Sequence, residues 1–187
     1  MKKVLLLPGW MRTLRLYKAH NDFDVRIGKL DDESVLADYV IGLSLGSLAV
    51  LQQVESIKGK IILINPPLPK KSILIWFVNW LKFIVTEGLF FERQKFTRNP
   101  IKFISALIVC VKLLNVDFSK TLDSIKGRLL IIRGRNDRFF CNDKTIKFLS
   151  AREIRIIEIN GGHNWCEEIE KTINDLTKDT GSELLPK

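Results

Sequence analysis

Three polar residues stand where a hydroxyl, a carboxylate and an imidazole could work together: Ser44 in "GLSLG", Asp137 in "GRNDRFF" and His163 in "NGGHNW". Each follows an apolar, strand-like run. A serine hydroxyl is a weak nucleophile until a base takes its proton, and the base needs a carboxylate to orient it. Chemistry of this kind is acyl transfer through a covalent acyl-serine. Gly42 and Gly46 flank the serine at the spacing a tight strand-to-helix turn demands, since a side chain at either would collide with the adjoining elements. The same turn aims the amide of Leu45, at the start of the following helix, at an oxyanion formed beside Ser44.

Gly-x-Ser-x-Gly alone is weak, arising by chance in roughly one chain in twenty of this length, so its weight comes from the downstream partners. The chain has two histidines. His163 follows the last strand-like run in a double-glycine loop, whereas His20, in "YKAHNDFDV", precedes the second strand and belongs near an amino-terminal edge. His163 is therefore the candidate base. Asp137 lies in a Gly-x-x-Asp turn beginning at Gly134; nearby Asp143 reads as a helix N-cap ahead of "KTIKFLSA". Cys110, Cys141 and Cys166 are odd in number and lack CxxC spacing, which indicates neither a disulfide framework nor a zinc site.

The elements that must position these residues are legible as apolar runs. "KVLLL", "DVRIG", "DYVIGL", "KIILIN", "RLLIIR" and "EIRIIEI" are the strand candidates, several apolar almost throughout, as strands buried on both faces are. Helix-period segments such as "LGSLAVLQQVESI", "DKTIKFLSA" and "CEEIEKTINDLTK" lie between or after them. Alternation of this kind predicts an α/β domain with a doubly wound, mostly parallel sheet of about six strands. The interval 67–119 breaks it: there is no strand-like run, and two or three apolar, aromatic-rich helices are expected, divided at Pro100. The polar end "KDTGSELLPK" is expected to fray. A chain of 187 residues with 46% hydrophobic content fits one domain over 1–187.

In these motifs the chain resembles the α/β-hydrolase superfamily. "GLSLG" is similar to its nucleophile elbow, "GRND" to its acid turn, "GGH" to its histidine loop, and the order Ser, Asp, His is the family's. "LLLPGW" resembles the family's oxyanion loop, with Pro8 where a histidine is common; the resemblance would make the amides of Trp10 and Leu45 the oxyanion donors. It runs from Val4 to about Leu176 and implies a serine hydrolase, esterase-like, needing no metal or organic cofactor. The expected fold is a trimmed one: the family's first antiparallel strands are missing, and only a short helix fits between the second and third strands, from Lys29 to Ala37.

By the same resemblance 67–119 is a helical lid inserted after the fourth strand. It carries Trp76, Phe77, Trp80, Phe83, Phe90, Phe91, Phe96 and Phe103, enough aromatic surface to wall an apolar acyl pocket. Trp76, Trp80 and, beside His163, Trp165 are the candidate substrate contacts, against the plainer reading that each ring packs the lid onto the body. From Pro67 to Lys120 nine Lys and Arg face three Asp and Glu, within a chain of formal charge +9. That face suits an acidic carrier protein or an anionic membrane, although a solvated face keeping an apolar lid soluble carries more weight. No nucleic-acid motif accompanies the charge. The apolar start is cut short by Pro8 and Gly9, so no export is implied and a cytoplasmic protein is expected. "ILIWFVNWLKFIV" falls short of a membrane span. The expected activity is hydrolysis of a carboxylic ester or thioester with an apolar acyl group. An acyltransferase or carrier-linked thioesterase would use the same residues, and a non-catalytic binding protein could keep the same fold.

Overall fold

The computed structural model describes residues 2–9, 23–27, 36–87 and 100–178. Among the described residues six strands form one sheet: β1 (Lys2–Leu7), β2 (Phe23–Ile27), β3 (Tyr39–Leu43), β4 (Lys60–Ile64), β5 (Leu129–Gly134) and β6 (Arg155–Ile159). Their spatial order is β2-β1-β3-β4-β5-β6, and all five pairings are parallel. The α-helices among the described residues are α1 (Leu45–Gln52), α2 (Ile73–Glu87), α3 (Pro100–Leu114), α4 (Ser119–Ile125), α5 (Asp143–Ser150) and α6 (Glu167–Lys178).

The apolar runs become parallel strands because both faces of the sheet are covered. Leu5, Val40, Ile61, Leu63, Leu129 and Ile131 join a core cluster with Leu48 and Leu51 of α1, Trp76 and Phe83 of α2, Leu113 of α3, Leu122 of α4 and Leu149 of α5. Their strand neighbours Val4, Leu6, Ile41, Ile62, Leu130 and Ile132 join a second cluster with Ile169 and Ile173 of α6. One residue of slip in any strand would exchange the two sets.

Between β4 and α4 the described residues include the two helices α2 and α3, and Pro100 is the first residue of α3, where its missing N–H leaves no intrahelical bond unmade. α2 is apolar on both sides. Trp76 and Phe83 point inward and are buried, while Leu74, Ile75, Phe77, Val78, Leu81 and Val85 are exposed. No helix among the described residues is long and apolar enough to cross a membrane. The short helix expected between Lys29 and Ala37 falls almost wholly outside the described residues, as do His20 and the chain end after Lys178.

Leu63 lies in the middle of β4 with no exposed surface. Leu63→Ala is expected to cost about 2–5 kcal/mol, readable as a lowered urea midpoint with an unchanged slope.

Candidate active site

In this strand order the chain reverses direction of winding between β1 and β3, so the carboxyl ends of those two strands open a crevice. β1 leads into Pro8 and Gly9, and β3 leads into Ser44, with Leu7 paired to Gly42. Ser44 has φ 53 and ψ −120, a backbone conformation rarely adopted by an L-residue, and it precedes α1. Close approach makes the turn possible. A Cβ on Gly46 would lie 2.4 Å from the Leu7 carbonyl oxygen, and one on Gly42 would lie 2.7 Å from Ser47 Cα. The Ser44 amide donates to the Ile64 carbonyl at 2.8 Å, and Ser47 Oγ donates to the Gly42 carbonyl at 2.8 Å.

The structure brings Ser44, Asp137 and His163 together. His163 Nε2 is 2.9 Å from Ser44 Oγ, and His163 Nδ1 is 2.6 Å from Asp137 Oδ2. His163 is buried, Asp137 completely so, and Ser44 retains 9% exposure. The Asp137 carboxylate also accepts from three amides of its own loop: Phe139 and Phe140 on Oδ1, at 3.2 and 3.0 Å, and Cys141 on Oδ2 at 3.0 Å. Burial pushes this carboxyl's pKa up, but the charge and hydrogen bond of His163, with the Phe140 and Cys141 amides, outweigh it and hold the group below its ordinary range. An ionised Asp137 can only accept, so Nδ1 carries the ring proton and Nε2 is left to accept from the serine hydroxyl.

The acid loop is pinned from outside. Asn79 of α2 donates to the Phe139 carbonyl at 3.0 Å, Lys71 Nζ donates to the Phe140 carbonyl, and Arg133 Nε donates to the Cys141 carbonyl at 3.0 Å. Arg133 also pairs with Glu158 and Asp143, each at 2.6 Å. This corrects the expectation for Asp143. The cap of α5 is Asn142, whose side chain accepts from the amides of Lys144 and Thr145, because Asp143 is drawn one position into the helix and onto Arg133. Burial pushes the Cys141 thiol's pKa up strongly, and that of Cys110 up to about 12, so both stay protonated; all three cysteines are free.

Two rings of the core flank the imidazole. Phe140 lies 4.4 Å from it between centroids, and Phe83 meets it edge-on at 5.5 Å. Trp76 stacks on Trp80 at 6.3 Å and lies 6.2 Å from Phe140, so Trp76 is linked to His163 through one ring and Trp80 through two. Trp165 is not with them: it packs against the core cluster on the sheet face covered by α6. Of the expected oxyanion donors, Leu45 is the first residue of α1, where helix amides lack an intrahelical acceptor. Trp10 lies outside the described residues, but Gly9 before it touches the Ser44 turn: a Cβ there would lie 3.1 Å from Ser44 Cβ. Among the described residues no group of three His, Cys, Asp or Glu could hold a metal ion.

The sequence reading missed Asn65, directly after β4. It is fully buried, and its side chain bonds the backbone of Gly134, Gly162 and His163.

No protein-family model and no curated protein sequence matches this chain. Solved structures do. A thermophilic esterase from Thermogutta terrifontis superposes with a TM-score of 0.62 at 13% identity, covering 97% of this chain and 91% of that one. An enol-lactonase from Burkholderia xenovorans LB400 gives 0.61 at 16% identity, covering 95% and 92%. A further structure, described as an alpha/beta hydrolase enzyme from a Medee basin deep-sea metagenome library, gives 0.55 at 15% identity, covering 94% and 87%. The chain has the α/β-hydrolase fold. Within that fold the described sheet is wholly parallel.

Because Asp137 titrates below its ordinary value of 3.8, its ionised form stabilises the native state above that pH, and the contribution is lost as pH falls through the depressed native value. Asp137→Asn should therefore be less stable than wild type at neutral pH. The gap should narrow as denaturant titrations are taken below pH 3.8.

Proposed function

We propose that the protein is a serine hydrolase acting on carboxylic esters or thioesters with an apolar acyl group. The observation that carries this reading is the contiguous chain of short contacts from Ser44 Oγ through the His163 ring to Asp137. The serine oxygen attacks the acyl carbonyl carbon as its proton passes to His163 Nε2, and Asp137 stabilises the imidazolium. Negative charge on the carbonyl oxygen falls to the amides of Leu45 and Trp10. Collapse of the tetrahedral intermediate breaks the bond to the alcohol or thiol, which takes the proton from Nε2 and departs. Water then repeats the sequence on the acyl-serine, losing its proton to Nε2 and releasing the carboxylic acid as Ser44 recovers a proton.

The helices of 67–119 act in this reading as the lid. Phe83 and Phe140 exclude water around the imidazole, and Trp80, half-buried and backed by buried Trp76, extends the apolar wall on which an acyl chain would lie. Apolar residues on the outer face of α2, with exposed Lys82 among them, would serve an acyl carrier or an anionic lipid surface.

Ser44→Ala should lower kcat/KM on p-nitrophenyl esters by about 10³-fold or more and abolish fluorophosphonate labelling. Asp143→Asn tests the choice of acid. Since Asp143 serves Arg133, this variant should keep its kcat within about threefold of wild type. A loss comparable with that of Asp137→Asn would reassign the carboxylate.

A further inference from the structure

The His163 loop begins with Gly161 and Gly162, which give its backbone wide conformational freedom, and it leaves the sheet where ladder hydrogen bonds end. A base that must receive a proton from one oxygen and deliver it to another needs a fixed anchor. Asn65 supplies contacts of the right kind. Its Nδ2 donates to the carbonyls of Gly162 at 3.0 Å and His163 at 3.2 Å, while its Oδ1 accepts from the Gly134 amide at 2.8 Å. Its own amide donates to the Ile132 carbonyl at 2.9 Å. One side-chain amide thus ties the end of β4 to the end of β5 and to the histidine's own main chain.

The chemistry of the position selects asparagine. Two carbonyls and one N–H face a side chain with no exposed surface, so the group must donate twice and accept once. Aspartate would turn lone pairs on both carbonyls, and leucine would leave all three backbone groups without this partner. The backbone agrees: φ is 46, in the left-handed region that asparagine tolerates better than most residues. Gly134, which receives the acceptor end, also opens the acid turn, since the Asp137 amide donates to its carbonyl at 3.0 Å. A Cβ on Gly134 would lie 2.2 Å from the Gly162 oxygen, so acid turn and histidine loop are pressed together where Asn65 joins them.

We infer that Asn65 is a positioning residue, holding the acid turn and the histidine loop in one register so that the imidazole of His163 stays aligned between Asp137 and Ser44. The inference rests on the hydrolase reading for its kinetic consequence but not for its geometric one.

Two variants of the full chain separate the possibilities. Asn65→Asp keeps shape and reverses the donors; Asn65→Gly keeps the left-handed backbone and removes the side chain. In a His20→Gln background, ¹⁵N-histidine labelling reports His163 alone, and its Nδ1–H proton should resonate far downfield because it is held in the 2.6 Å bond to Asp137. Both variants should lose or shift that signal, and kcat per folded molecule should fall about ten- to hundredfold while KM changes less than about threefold. A wild-type signal together with a kcat within about twofold in both variants would overturn the inference. If neither variant folds, hydrogen exchange in the wild type decides. Asn65 side-chain protons exchanging as slowly as the β5 amides support the clamp, and exchange at the rate of an exposed amide refutes it. Should the wild type hydrolyse no ester, the hydrolase reading fails while the His163 resonance still tests the positioning.

Discussion

A carboxylate taken out of water must be compensated, and Asp137, with no exposed surface, sets the terms for the whole carboxyl edge of the sheet. Removing such a charge from solvent costs several kcal/mol unless hydrogen bonds and a counter-charge replace the lost hydration. Here the replacement is local and complete: three amides of the following residues and one imidazole N–H fill the four acceptor positions. Wrapping the loop so tightly turns Phe140 onto the imidazole and brings the Cys141 carbonyl to Arg133. The same wrapping fixes the ring tautomer, leaving Nε2 directed at Ser44.

The second constraint is backbone proximity. Strands reach the edge from distant parts of the sequence, and their loops must meet within the span of one side chain. Glycine is required where main chains nearly touch: Gly46 beneath the end of β1, Gly42 beneath Ser47, and Gly134 beneath the histidine loop. Around these contacts the remaining polar groups act as braces. Asn79 links α2 to the loop that follows Asp137, through the Phe139 carbonyl.

What could be read from the sequence follows from range. The strands were legible because parallel strands covered on both faces must be apolar at successive positions, as "KIILI" and "LLII" are. Ser44, Asp137 and His163 were legible because their local turns carry glycine patterns and their order along the chain narrows the choice. Asn65 was not: an asparagine after a strand has no distinctive local pattern, and its partners lie 69, 97 and 98 residues away. Nor was the service of Asp143 to Arg133, since an acidic residue at a helix start looks like a cap until the buried cation beside it is known. Trp165, two residues after His163, shows how far adjacency misleads, because it turns to the opposite face of the sheet.

The central claim is that the glycine-flanked serine is the atom that attacks. The most direct measurement is peptide mapping by mass spectrometry after brief exposure of the native protein to a fluorophosphonate. A single adduct on the peptide carrying Ser44, prevented by prior heat denaturation, is the predicted result. Absence of any adduct on folded protein at neutral pH, or an adduct on a different serine with Ser44 unmodified, would contradict it.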